Sequence, residues 1–333
     1  MKIDVLSIGA FPEATNAELA NRFATTRHFH RPAPDALGAD LKSRIRAIAT
    51  EANRGADRAL IAALPKLEVI AIFGVGTDFV DLAAARERNV PVTNTPDILT
   101  DEVADLAIGL MLGSARQILF ADRYVRDGTW ASKGPIPLGR SVGGKTMGVL
   151  GLGGIGRAIA DRGAALRMRV IYSGPRRKPD APYDYIADPI ELAQRSDYLM
   201  VACKGGPETR HLVSAAVIDA LGPNGTLINV ARGSVVDEPA LIKALAEGRL
   251  GYAALDVFES EPNPSPELLK LPNVIVQPHQ GSATVETRTA IGRLMIDEMK
   301  AVVGQLGAAT LNELRHLTIR HIGAVGFEAR QGR

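Results

Sequence analysis

Gly151, Gly153 and Gly156 stand as G-x-G-x-x-G within MGVLGLGGIGRAIA, residues 147–160, between an apolar run and a helical one. At that spacing the first glycine permits a tight turn and the second lets a pyrophosphate approach the backbone. The third lets helix and strand pack closely. The N–H groups of Gly154, Ile155 and Gly156 at the helix start add an anion site. A glycine-rich structural turn is the alternative, and the strand–turn–helix context argues against it. In a dinucleotide site of this kind, an acidic residue about 20 positions further on accepts the ribose hydroxyls. Here the next strand ends in Ser173, and Gly174-Pro175-Arg176-Arg177-Lys178 follows. Three cations and no carboxylate suit a 2′-phosphate, so NADP(H) is expected in preference to NAD(H). A basic run is ordinarily a solvated loop; its place after this strand favours the functional reading.

A second group of residues lies downstream. Asn229-Val-Ala-Arg232-Gly-Ser, Leu255-Asp256-Val-Phe-Glu-Ser-Glu261-Pro262 and Val276-Gln-Pro-His279-Gln-Gly-Ser282 each follow an apolar run. Polar residues just past the carboxyl ends of strands are where open α/β sheets place ligands. An arginine there can hold a carboxylate bidentately. A histidine can pass a proton to a carbonyl oxygen as hydride reaches the carbon. A glutamate beside it favours the imidazolium and fixes its orientation. Singly each is more often structural; together, behind a dinucleotide fingerprint, they form one site. His28, His30, His211, His316 and His321 have no such context. The site holds no His/Asp/Glu cluster at metal-ligand spacing, so no metal is expected.

Short β-branched runs must position these groups. Strands are predicted at Ile3–Ile8, Val69–Val75, Met147–Leu150, Arg169–Tyr172, Tyr198–Ala202, Thr226–Val230, Gly251–Val257 and Val274–Val276. Several are apolar throughout, as in parallel strands covered on both faces. Helical stretches such as Arg157–Leu166 and Pro239–Glu247 alternate with them, which predicts a doubly wound α/β fold. A long helix is predicted over Asp101–Leu119 and a loop over Gly128–Gly144. A domain boundary is expected near Asn94-Thr95-Pro96, and a second crossing in Gln280–Thr284. The 333 residues suffice for two domains. Lys and Arg exceed Asp and Glu by only two, and that surplus lies in the last 29 residues. The neutral body gives no electrostatic reason to expect nucleic-acid or membrane-surface binding. Cys203, the only cysteine, excludes an internal disulfide. MKIDVLSIGAF lacks the pattern of a secretion signal, and no run approaches a membrane span, so a cytoplasmic protein is expected.

GLGGIGRAIA, NVARGSVVDE (229–238), LDVFESEP (255–262) and PHQGSAT (278–284) together resemble the D-isomer-specific 2-hydroxyacid dehydrogenase family, from about Val69 to about Ala301. The resemblance implies a Rossmann dinucleotide-binding domain over 99–283. It also implies a flavodoxin-like substrate domain over 1–98, completed by about 284–333. In it Arg232 is the substrate-carboxylate arginine, Glu261 the glutamate partner and His279 the acid/base histidine. Val75 and Gly76, in Phe73-Gly74-Val75-Gly76, resemble the amides that hold the substrate carboxylate, and Ser282 falls among the substrate contacts. Asp256, Lys204, Val230 and Ala231 fall where relatives meet the nicotinamide half.

TNTPDILTDEVADLAIGLML (93–112), the basic run and PHQGSATVETR resemble the NADPH-linked glyoxylate/hydroxypyruvate reductases within that family. The implied reaction is reduction of a small 2-oxo acid to the D-2-hydroxy acid. Reductases of 2-ketogluconate or hydroxyphenylpyruvate are alternatives, as is a non-catalytic dinucleotide-sensing module like the family's corepressors. A homodimer built around residues 100–145 is implied, with Trp130 directed at the partner's site; an ordinary buried tryptophan is the alternative. Gln280 replaces the usual apolar residue after the histidine, and Gln305–Arg333 no longer resembles the family.

Overall fold

The computed structural model describes residues 2–304, so the atypical tail lies outside the described residues. These residues form two compact units, one from residues 2–99 with 284–304 and one from Thr100–Ala283. Among the described residues no single helix is long and apolar enough to cross a membrane.

The first unit carries five strands: β1 Asp4–Ile8, β2 Ala24–His28, β3 Ala47–Glu51, β4 Val69–Phe73 and β5 Val92–Thr93. All pair in parallel, in the order β2-β1-β3-β4-β5, which is the flavodoxin-like doubly wound order. β4 is buried at every position because helices cover both its faces. The short helices Arg58–Ala63 and Leu82–Glu87 start at Asp57 and Asp81, whose carboxylates accept from Leu60 N and Ala84 N. The helix Val285–Val302 packs on β4 and on the helix Glu13–Arg22. β2, β3 and β5 are additions to the predicted strands. β2 is a partly exposed edge and lacks a continuous apolar run. β3 is buried but reads Ala-Ile-Ala-Thr-Glu, a composition equally suited to a helix.

The second unit carries β6 Thr146–Leu150, β7 Arg169–Ser173, β8 Asp184–Tyr185, β9 Tyr198–Val201, β10 Thr226–Asn229, β11 Tyr252–Leu255 and β12 Val274–Val276. They pair in parallel in the order β12-β11-β10-β9-β6-β7-β8. Strand order reverses between β6 and β9, the switch point where a Rossmann sheet binds its ligand. Leu150, Ile171, Leu199, Leu227 and Leu255 supply the core from the sheet.

The predicted helix over Asp101–Leu119 requires correction. It runs as Thr100–Ala115, Gln117 takes a left-handed φ of 52°, and a new helix follows over Ile118–Arg126. The cause is a distant segment: Arg140 N donates to Ala115 O at 2.7 Å, occupying a carbonyl that a continuing helix would use. The predicted loop over Gly128–Gly144 likewise contains a short helix, Thr129–Lys133, set off by Gly128 and Gly134 at positive φ.

Candidate active site

The glycine turn follows β6. Gly151 sits at φ 99°, and a Cβ there would lie 2.5 Å from the Cα of Cys203. A Cβ on Gly156 would lie 1.9 Å from Gly151 O, whereas one on Gly153 would meet nothing within 4 Å. Two glycines therefore close the turn and the middle one faces open space. The helix Gly154–Ala165 has no side-chain cap, and its Gly154, Ile155 and Gly156 N–H groups donate to no carbonyl among the described residues. An uncapped N-terminus with an open cradle fits a pyrophosphate.

Beside the turn, Gly151 N donates to Ser173 O at 2.8 Å, and the Ser173 hydroxyl is buried and donates to Ala187 O at 3.3 Å. Arg176 and Arg177 are exposed and Lys178 is half-buried, and none forms an ion pair among the described residues. Across the switch point, burial pushes the Cys203 thiol up to about 11. Lys204 is exposed, and its carbonyl accepts from the Thr209 hydroxyl at 2.7 Å.

Arg232, Asp256, Glu261 and His279 are brought together past the ends of β10, β11 and β12. The buried Asn229 side chain shapes the first loop: Nδ2 donates to Arg232 O at 3.0 Å and Oδ1 accepts from Ala231 N at 3.0 Å. Val230 and Ala231 are buried within that turn. Asp256, also buried, receives Gln280 N at 2.6 Å on Oδ1 and Gly281 N at 2.8 Å on Oδ2. Burial pushes the Asp256 carboxyl above the ordinary range, partly offset by those amides and by nearby His279. His279 has a left-handed φ of 54°, a conformation costing roughly 1–3 kcal/mol. Its N–H is held by Asp256 O at 2.9 Å and Gln277 O at 3.0 Å. Its Nδ1 then lies 2.8 Å from Glu261 Oε2, while Glu261 Oε1 accepts from Phe258 N at 3.2 Å. Ser282 follows, half-buried.

Two contacts that position this group carry no motif of their own. Glu238, a buried carboxylate at a helix start, accepts from Glu259 N at 3.0 Å and tethers the loop that carries Glu261. Gly233 lets that loop pass: a Cβ there would lie 1.8 Å from the carbonyl carbon of Phe258. Both lie within NVARGSVVDE, whose length is the available signal; their contacts are tertiary.

The electrostatics of the Glu261–His279 pair gives a measurable consequence. Burial opposes ionisation of Glu261, but the hydrogen bond and charge of His279, the Phe258 amide and nearby Arg232 outweigh it, and its carboxyl lies below the ordinary value. A carboxyl lowered on folding stabilises the fold above its unfolded value, and that contribution is lost as pH falls through the folded value. Denaturant titrations from about pH 6 to about pH 3 are expected to show stability falling more steeply in wild type than in Glu261→Gln. Parallel curves would remove the pair from the stability balance.

Val75 and Gly76 belong to the first unit. Asn94 Nδ2 donates to Val75 O at 2.7 Å and Thr95 N to Gly74 O at 2.9 Å. The amides of Val75 and Gly76 donate to no acceptor among the described residues.

A Rossmann sheet with an open glycine cradle, and a carboxylate–histidine pair beside an arginine at neighbouring strand ends, defines a nicotinamide-dinucleotide oxidoreductase. Comparison with known proteins gives the family. Residues 108–281 match the model of the D-isomer specific 2-hydroxyacid dehydrogenase, NAD binding domain. The chain is 48% identical over 300 residues to hydroxyphenylpyruvate reductase of Plectranthus scutellarioides, covering 90% of this chain and 95% of that one. It is 46% identical over 299 residues to glyoxylate/hydroxypyruvate reductase A of Arabidopsis thaliana, with coverage of 90% and 95%. It is similar to the structure of an NADPH-dependent glyoxylate/hydroxypyruvate reductase from Sinorhizobium meliloti in complex with NADP and malonate. That match has a TM-score of 0.85 at 40% identity, over 90% of this chain and 93% of that one. The chain belongs to the D-isomer specific 2-hydroxyacid dehydrogenase family.

Proposed function

We propose that this protein reduces a small 2-oxo acid of the glyoxylate/hydroxypyruvate type to the D-2-hydroxy acid with NADPH. The observation that carries the proposal is the 2.8 Å Glu261–His279 pair, built from separate loops and backed by the Asp256 turn. Gly151, Gly153, Gly154, Ile155 and Gly156 hold the pyrophosphate, Arg176, Arg177 and Lys178 the 2′-phosphate, and Ser173 closes the strand between them. Lys204, Val230, Ala231 and Asp256 border the nicotinamide half. The bound dinucleotide supplies the hydride. Arg232 binds the substrate carboxylate and polarises its keto oxygen; the free amides of Val75 and Gly76 serve the same carboxylate. His279, charged and oriented by Glu261, protonates that oxygen as negative charge develops on it.

The NADPH preference is supported by cations after β7 that form no ion pair among the described residues and by the lack of an acidic residue at the end of that strand. A homodimer, acting in the cytoplasm without nucleic-acid or membrane partners, completes the proposal. Its arm is the helix pair Ile118–Arg126 and Thr129–Lys133, which leaves Ile118, Phe120, Val125 and Trp130 exposed.

Initial rates with NADPH and NADH against glyoxylate, hydroxypyruvate, hydroxyphenylpyruvate and 2-ketogluconate test the reading. The expected result is faster NADPH oxidation with glyoxylate or hydroxypyruvate than with the two larger acids. A clear advantage for NADH would overturn the cofactor assignment. Cofactor binding without turnover would make the protein a dinucleotide sensor instead.

A further inference from the structure

We propose that two tyrosine hydroxyls, those of Tyr172 and Tyr185, set the dinucleotide preference by stapling both ends of the basic loop 174–178. The inference rests on the NADPH reading and names what makes that loop selective. Tyr172 and Tyr185 are register partners on the parallel strands β7 and β8, with ring centroids 5.3 Å apart. Tyr185 Oη donates to Gly174 O at 2.9 Å, at the first residue of the loop. Tyr172 Oη accepts from Lys178 N at 2.7 Å and donates to Lys178 O at 3.4 Å, at the last. Tyr172 is 1% exposed, and a phenol that deep needs a partner; the one it has is the loop itself.

The segment beyond is tied back as well. Arg157 Nη2 bonds Asp180 at 2.7 Å and the Tyr183 hydroxyl bonds Asp161 at 2.5 Å, both on the helix that opens at the glycine cradle. Arg176 and Arg177 therefore project from a backbone held at each end, with no carboxylate neutralising them among the described residues. Such a loop meets its ordering cost on folding rather than on binding, which is how preorganisation raises affinity. Only a ligand that engages the arginines gains from that order. The hydroxyls thus act on selectivity without touching the ligand, as positioning residues.

The experiment is calorimetric binding of adenosine 2′,5′-bisphosphate and of adenosine 5′-monophosphate to wild type, Tyr185→Phe and Tyr172→Phe/Tyr185→Phe, with amide exchange at Lys178. The double variant is expected to bind the bisphosphate roughly tenfold more weakly, from the three hydrogen bonds the two hydroxyls make to the loop. Affinity for the monophosphate should be unchanged and Lys178 N–H should exchange faster. Tyr185→Phe removes only a half-buried hydroxyl and should show part of the same loss. An unchanged ratio of the two affinities in both variants would overturn the stapling role while leaving the cofactor reading intact. A wild type that does not favour the bisphosphate would overturn both.

Discussion

Replacing His279 by Gln is expected to lower kcat by about 10²–10⁴-fold, the usual contribution of a positioned general acid. Glutamine preserves length and can donate a hydrogen bond to Glu261, but has no proton to release near neutral pH. The backbone bonds that hold residue 279, from its N–H to Asp256 O and Gln277 O, do not involve the side chain. NADPH affinity, measured by fluorescence titration, should therefore be unchanged. The two readouts separate a chemical role from a binding one. Turnover within about tenfold of wild type would remove His279 from the chemistry, since the loss would then fall below the range for general acid catalysis.

Gly233→Ala is expected to damage stability and activity together. Its φ is not left-handed, so the cause is steric: the new methyl would sit 1.8 Å from the carbonyl carbon of Phe258 and 2.3 Å from Glu259 N. These are backbone atoms that cannot rotate away. Overpacking of this kind costs typically about 1–3 kcal/mol and occasionally more. The loops it separates are those of Arg232 and Glu261, and a displacement near 1 Å at a reacting centre is worth about 10²-fold in rate. Thermal denaturation and kcat/KM measured on the same preparation check both parts. A variant of wild-type stability would mean that the two loops can part freely.

Much of the nucleotide half was readable in advance because its function uses residue types at fixed spacing. The glycine turn, Arg232, Glu261 and His279 are local signatures, and strands such as Val274–Val276 are apolar runs with little other reading. Features made by distant contacts were less visible. The break at Gln117 has no proline or glycine to announce it, because Arg140, more than twenty residues on, supplies the competing amide. β3 is Ala-rich, and its burial between β1 and β4 decides its state. Glu238 belongs to a recognisable motif, but its bond to Glu259 N spans 21 residues. Tyr172 resembles any apolar strand residue until its hydroxyl is seen to meet Lys178.

Asp256 holds the turn after the histidine through the main-chain amides of Gln280 and Gly281, and the Gln280 side chain is exposed. Position 280 is thus read by its backbone alone, and the side chain there is a free variable. An exchange at position 280 therefore leaves the two backbone bonds to Asp256 in place. The rim next to His279 can change residue by residue while the turn that carries the histidine keeps its backbone bonds.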